Sequence, residues 1–140
     1  EPVEFVNKKI RQLLDDMAET MYKTDGVGLA APQVNVSKRI IVLDDGNGLI
    51  EVINPEIVKK EGSQVGLEGC LSVPELFGVV ERYDKIEVHG INRNNKKIKI
   101  KAEGFLARIF QHEIDHLNGI LFVEKLVNPN EIFIHKKEQQ

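Results

Sequence analysis

Apolar residues Val6, Ile10, Leu13, Leu14, Met17 and Met21 recur every three or four positions, which predicts an amphipathic helix over residues 4–24. Asp25-Gly26 supplies its stop, because glycine accepts the left-handed conformation that ends helices. The next stretch, GVGLAAPQ (26–33), is small and apolar and has no helical period. From residue 39 the pattern turns to β. RIIVL (39–43) is an apolar run closed by the turn cluster DDGNG (44–48). LIEVIN (49–54) and EIVKKE (56–61) read as two further strands parted by Pro55. KIEVHGI (85–91) and KKIKIK (96–101) alternate apolar and polar around Asn92-Arg93-Asn94-Asn95, as a half-buried antiparallel hairpin does. A second helical period covers 105–118, with Gly119 as its stop. ILFVEKLV (120–127) reads as a last strand, and NPNEIFIHKKEQQ (128–140) as a short helix or a frayed tail. The predicted class is α+β, with antiparallel sheets packed around a central helix.

Composition narrows the function classes. No linker or internal repeat divides the 140 residues, so 1–140 reads as one domain. Hydrophobic residues make up 41% and charged residues 29%, as in an ordinary soluble globule. Lys plus Arg is 19 against 22 Asp plus Glu, a net charge of −3, which argues against a DNA or membrane surface. KKIKIK is flanked by acidic residues and reads as a solvated strand face rather than a basic patch. No apolar run approaches the roughly 18–20 residues of a membrane span. The single cysteine forbids an internal disulfide. The chain opens at Glu1 without an initiator Met and close to a helical pattern, which suggests that an N-terminal segment is lacking.

The second helix carries chemistry. His112-Glu113-Ile114-Asp115-His116 is an H-E-x-x-H motif. Residues four apart on a helix lie one turn above each other, so two imidazoles can grip one metal ion. Glu113, one residue along, reaches the open side, where it can take a proton from water. The motif lies inside a good helical pattern, with Phe105, Leu106 and Ile109 on the turns before it. The Asp115 carboxylate is placed to orient a ligand from behind. A catalytic ion needs a third protein ligand, and the candidates are Cys70, His89, His135 and the acidic residues. Cys70 stands in E-G-C-L between glycine-flanked turns, where a thiol can be displayed, although a lone cysteine is more often a small buried hydrophobe. His89 alternates with apolar residues and reads as an exposed strand histidine, and His135, beside two lysines, as surface.

Three separated segments share one explanation. GVGLAAPQ (26–33), EGCLS (68–72) and QHEIDHL (111–117) closely resemble, in order and spacing, the three signature motifs of peptide deformylase. The similarity runs along almost the whole chain, and its fold agrees with the α+β reading. The resemblance implies Cys70, His112 and His116 as metal ligands and Glu113 as the catalytic carboxylate. It implies that Gln33 and the Leu71 N–H donate to the substrate's formyl oxygen, and that Gly28 lies against the peptide. It implies Fe2+ as the working ion, with Zn2+, Ni2+ or Co2+ also suited to the ligand set. It further implies a cytoplasmic enzyme that takes N-formyl-methionyl peptides, the nascent chains at the ribosome.

Formamide hydrolysis passes through an oxyanion, and Gln33 and Leu71 would supply donors to it, each typically worth about 3–4 kcal/mol. Phe105 and Ile109 share a helical stripe with His112 and His116, so they are candidate walls of a pocket for the methionine side chain, with Val27 a third. Three features depart from the family pattern, the first being that the usual segment before the first helix is largely missing. Leu67 precedes Glu68 where an acidic or polar residue is common, and the tail is short for a long C-terminal docking helix. Glu68 and Arg82 are expected to pair near the site and hold the Cys70 loop. The rival readings are a zinc endopeptidase, which also uses H-E-x-x-H, and a non-catalytic protein with a structural metal. The second requires a closing fourth protein ligand, and the chain has no second cysteine.

Overall fold

A computed structural model describes residues 1–70, 73–120, 125 and 132–134, with backbone alone for Cys70, Val73–Phe77 and Ile132–Ile134. The first helix, α1, is Lys8–Lys23. It starts later than its apolar period because Asn7 caps it, the Oδ1 accepting from the Ile10 N–H at 3.0 Å. Val6 fits the period but lies outside the helix. Its backbone is held instead by the Asn95 amide, which accepts from the Val6 N–H at 2.9 Å and donates to its carbonyl at 2.9 Å. The stop also differs in detail: Asp25, not Gly26, takes the left-handed conformation, with φ 54°.

Strand β1 (Gly28–Ala30) runs into a tight 3-10 turn, Ala31–Val34, and then β2 (Ile40–Leu43). β3 is one strand, Ile50–Glu61, where Pro55 had suggested two. The pairing shifts register between Ile53 and Glu56, and Asn54 sits at φ 55°, so the proline falls in a bulge that asks nothing of its missing N–H. The hairpin of β6 (Lys85–Ile91) and β7 (Lys97–Glu103) forms as its alternation predicts. Besides β1, two strands lie where the sequence pattern predicts none: β4 (Gln64–Cys70) and β5 (Val73–Arg82). The E-G-C segment therefore ends a strand rather than lying between turns. The tail reading also needs correction, because Ile132–Ile134 form β8, paired with Leu76–Gly78 of β5. Three consecutive β-favouring residues find a sheet edge there. The rest of the tail and most of 120–127 lie outside the described residues.

The strands make two antiparallel sheets, one in the order β1-β2-β3-β6-β7 and one in the order β4-β5-β8. β2 is buried on both faces, as its unbroken apolar run requires. Ile40 and Val42 face α1, with Leu14, Met17 and Met21. Ile41 and Leu43 face the second helix, α2 (Gly104–Leu117), with Ala107, Ile109, Phe110 and Ile114. α2 thus packs its apolar side on the larger sheet and turns its other side to β4 and β5. Gly119, at φ 75°, follows its end.

Candidate active site

The side of α2 turned away from the larger sheet is polar yet buried. Arg108, Gln111, His112 and Asp115 fall at i, i+3, i+4 and i+7, one stripe of the helix. Gln111 docks the stripe on the turn after β5. Its Oε1 accepts from the Tyr83 N–H at 2.9 Å and its Nε2 donates to the Tyr83 carbonyl at 2.7 Å. Glu68 on β4 meets the stripe from the other sheet and is 6% exposed. Arg82 grips it with two parallel bonds, Nε to Oε2 at 2.9 Å and Nη2 to Oε1 at 2.8 Å, so the expected pair is present. Arg82 Nη1 also donates to Asp115, and Arg108 Nη1 to Glu68 Oε2. Burial by itself raises the Glu68 carboxyl, but the hydrogen bonds and charges of His112 and Arg82 outweigh it and hold its pKa at about 2.

The carboxylate behind His112 is therefore Glu68, not Asp115. Glu68 Oε1 stands 2.7 Å from His112 Nδ1, while Asp115 is one link further off, on Arg82. An anion at Nδ1 fixes the tautomer with the proton on that nitrogen and leaves Nε2 as the lone-pair end. His112 Nε2 faces His116 Nε2 at 3.3 Å, and both residues are buried. That separation is within reach of a weak ring-to-ring hydrogen bond. It matches the roughly 3.3 Å between two nitrogens that each sit about 2.0–2.1 Å from a tetrahedral ion. The two nitrogens therefore fit two positions of a metal, and among the described residues no third such side chain joins them. Cys70 ends β4 two residues beyond Glu68. Its side chain, and all of Leu71, lie outside the described residues.

Glu113 is 4% exposed and lies against β1. A Cβ on Gly28 would stand 2.6 Å from Glu113 Oε2 and 2.9 Å from both Glu113 Cγ and Ile109 Cγ2. No side chain fits between β1 and α2 there. The 3-10 turn packs on α2 and carries Gln33, whose Oε1 accepts from the Ala30 N–H at 2.8 Å. With the oxygen so engaged, Nε2 is the donating end of the amide. The candidate pocket residues are divided. Ile109 is 3% exposed, in the core and against Gly28, while Phe105 is 53% and Val27 42% exposed. His89 is about one-third exposed and paired with Glu87 on β6, away from this cluster. His135 lies outside the described residues.

A family model described as polypeptide deformylase matches residues 1–131. The chain belongs to the peptide deformylase family. It is 60% identical over 135 residues to the peptide deformylase of Halothermothrix orenii, covering 95% of this chain and 88% of that one. It is 62% identical over 130 residues to that of Symbiobacterium thermophilum, covering 91% of this chain and 60% of the relative's length. A crystal structure of peptide deformylase from Thermotoga maritima superposes with a TM-score of 0.90 at 45% identity, covering 91% of this chain and 88% of that one. The α+β fold is thus that of solved peptide deformylases.

Sequence reasoning missed Arg108 and Gln111 as parts of this deformylase site. A signal was available: a polar stripe at i, i+3, i+4 and i+7 on a helix whose other side is apolar, which needs buried partners rather than solvent.

Proposed function

We propose that this chain hydrolyses the formamide of N-formyl-methionyl peptides, releasing formate, with one metal ion held by His112, His116 and Cys70. The observation that carries the reading is the convergence of the two Nε2 atoms at 3.3 Å with Glu68 behind one ring, and Glu113 of the same helix is buried against Gly28. Cys70 is proposed as third ligand on the resemblance of EGCLS (68–72) to the family motif, and its backbone ends the strand that carries Glu68. When bound, the ion supplies Lewis acidity and lowers the pKa of water to near neutrality. Fe2+ is the proposed working ion, with Zn2+, Ni2+ or Co2+ able to take its place.

The remaining steps belong to the chain's own groups. Glu113 takes the proton from the attacking water and delivers it to the leaving amine. Gln33 Nε2 and the Leu71 N–H donate to the oxygen on which charge develops. β1 is an edge strand, so its outer backbone groups are placed to pair with an extended peptide passing Gly28. Phe105 and Val27 are proposed as exposed walls of the methionine pocket, with Ile109 behind them. Among the described residues no helix is long and apolar enough to cross a membrane. The proposed setting is the cytoplasm, on nascent chains at the ribosome.

The test is formate release from formyl-Met-Ala, with metal content measured on the same anaerobic preparation. Formate released in proportion to bound metal supports the reading. Cleavage of internal bonds in an unblocked peptide, without formate release, would establish the endopeptidase reading instead.

A further inference from the structure

The network around Glu68 contains one arginine more than pairing requires. Arg82 forks on Glu68 and ties β5 to β4, two strands of the same sheet. Two bonds join this pair to α2, Arg82 Nη1 to Asp115 and His112 Nδ1 to Glu68 Oε1, and neither reaches Oε2 from the helix. Arg108 stands one turn before His112 on the same stripe, with its side chain 7% exposed. The two residues divide the carboxylate between them: His112 Nδ1 meets Oε1, and Arg108 Nη1 meets Oε2. The guanidinium is itself fixed. Its Nε donates to Gln64 Oε1 at 3.2 Å, and its plane lies against Gly66, where a Cβ would stand 3.2 Å from Cζ and 3.3 Å from Nη2. Arg108 Nη2 is buried with no hydrogen-bond partner among the described residues. Burying a cation with an unfilled donor is costly, so the bond to Glu68 has to offset that cost.

We propose that Arg108 is a positioning residue for the metal centre: by bonding Glu68 Oε2 from α2 it locks the carboxylate in register with the His112 ring and so aims Nε2. This rests on the ligand assignment above and adds the residue that holds its geometry. Arg82, itself held by Asp115, still grips Glu68 from β5, but loss of Arg108 removes the bond from α2 to Oε2 and lets the carboxylate turn about its bond to His112.

The experiment uses the full chain stripped of metal, with Zn2+ and Co2+ as probes, each titrated in competition with a chelating indicator. Arg108→Met removes the bond. Arg108→Lys keeps the charge, but its stem is too short to carry a donor to where Nη1 lies. In folded, metal-free protein, both variants are expected to bind Zn2+ more weakly than the parent, by up to the roughly 10-fold that loss of a ligand's own outer partner costs, because Arg108 acts through Glu68. The visible bands of the Co2+ form are expected to shift as the His112 geometry relaxes. Should Arg108→Met fail to fold, Arg108→Lys carries the test alone. A folded Arg108→Lys with parental Zn2+ affinity and an unchanged Co2+ spectrum would overturn the proposal. If the parent itself bound neither ion, the ligand assignment would fail instead.

Discussion

Glu113, Gly28 and Gln33 each make a contact whose removal has one expected reading. Glu113 is rotated about 100° from His112 on α2, so it is not expected among the ligands. Glu113→Ala is expected to keep its fold and metal but lose about 10²–10⁴-fold or more in single-turnover formate release, because one carboxylate serves as base and then as acid. Metal content and rate measured on one sample check this, and departure of the metal with the carboxylate would make Glu113 a ligand. Gly28→Ala drives a Cβ to 2.6 Å from Glu113 Oε2. A displaced catalytic group of this kind costs about 10²-fold, so kcat is expected to fall at unchanged metal content. A rise in KM alone would show that the glycine serves only the passing peptide. Gln33→Ala removes the donor that Ala30 orients, and kcat is expected to drop about 10²-fold with normal metal binding.

At the scale of elements, α2 and β4 meet through charge rather than through apolar packing. β4 exposes Val65 and Leu67 and buries Glu68, with Gln64 and Gly66 half-buried beside it. Its polarity is therefore inverted relative to an ordinary half-buried strand. That inversion explains why hydrophobic alternation found the β6–β7 hairpin and passed over β4. The inversion also sets an acid limit. The Glu68 carboxyl titrates at about 2 in the folded chain against 4.5 without its partners. Its stabilisation is therefore complete above pH 4.5 and is lost as pH falls through 2. The shift corresponds to on the order of 3 kcal/mol. Thermal unfolding of the metal-free protein between pH 6 and pH 2 is expected to show this loss. Glu68→Gln, which has no such carboxyl, is expected to give a shallower slope; an equal slope would mean that other carboxylates govern acid unfolding.

For the whole molecule, two asparagines far apart in sequence hold the N-terminal stretch. Asn54 accepts from the Val3 N–H at 2.8 Å and donates to the Val3 carbonyl at 2.7 Å, and Asn95 does the same for Val6. Both sit at positive φ, which asparagine tolerates better than most residues. Val3 and Val6 are thereby pinned into the core beside α1. Asn95→Ala loses both bonds and leaves two part-buried backbone groups unpaired. The expected cost is about 1–3 kcal/mol in denaturant unfolding, with kcat unchanged because the active site lies on the opposite side of the larger sheet. Full removal of metal by a chelator is expected to lower Tm, because an ion that binds only the folded state stabilises it by mass action. An unchanged Tm on chelation would argue against a tightly held ion.

The sequence by itself determined what local chemistry can determine. The 3.6 period drew α1 and α2, the alternation drew the β6–β7 hairpin, and the three motifs carried the family and the candidate ligands. Each of these signals lies within one turn, one strand pair or one short segment. Tertiary structure decided everything that depends on partners across the chain. Asn7 and Asn95 together moved the start of α1, because Val6 had its backbone claimed from residue 95. Pro55 did not break β3, because a bulge absorbed it. Glu68 displaced Asp115 as the carboxylate behind His112, although Asp115 lies three residues from that histidine and Glu68 forty-four. The physical reason is the same in each case. A buried polar group is satisfied by whichever partner the packing brings within about 3 Å, and distance along the chain does not enter that choice.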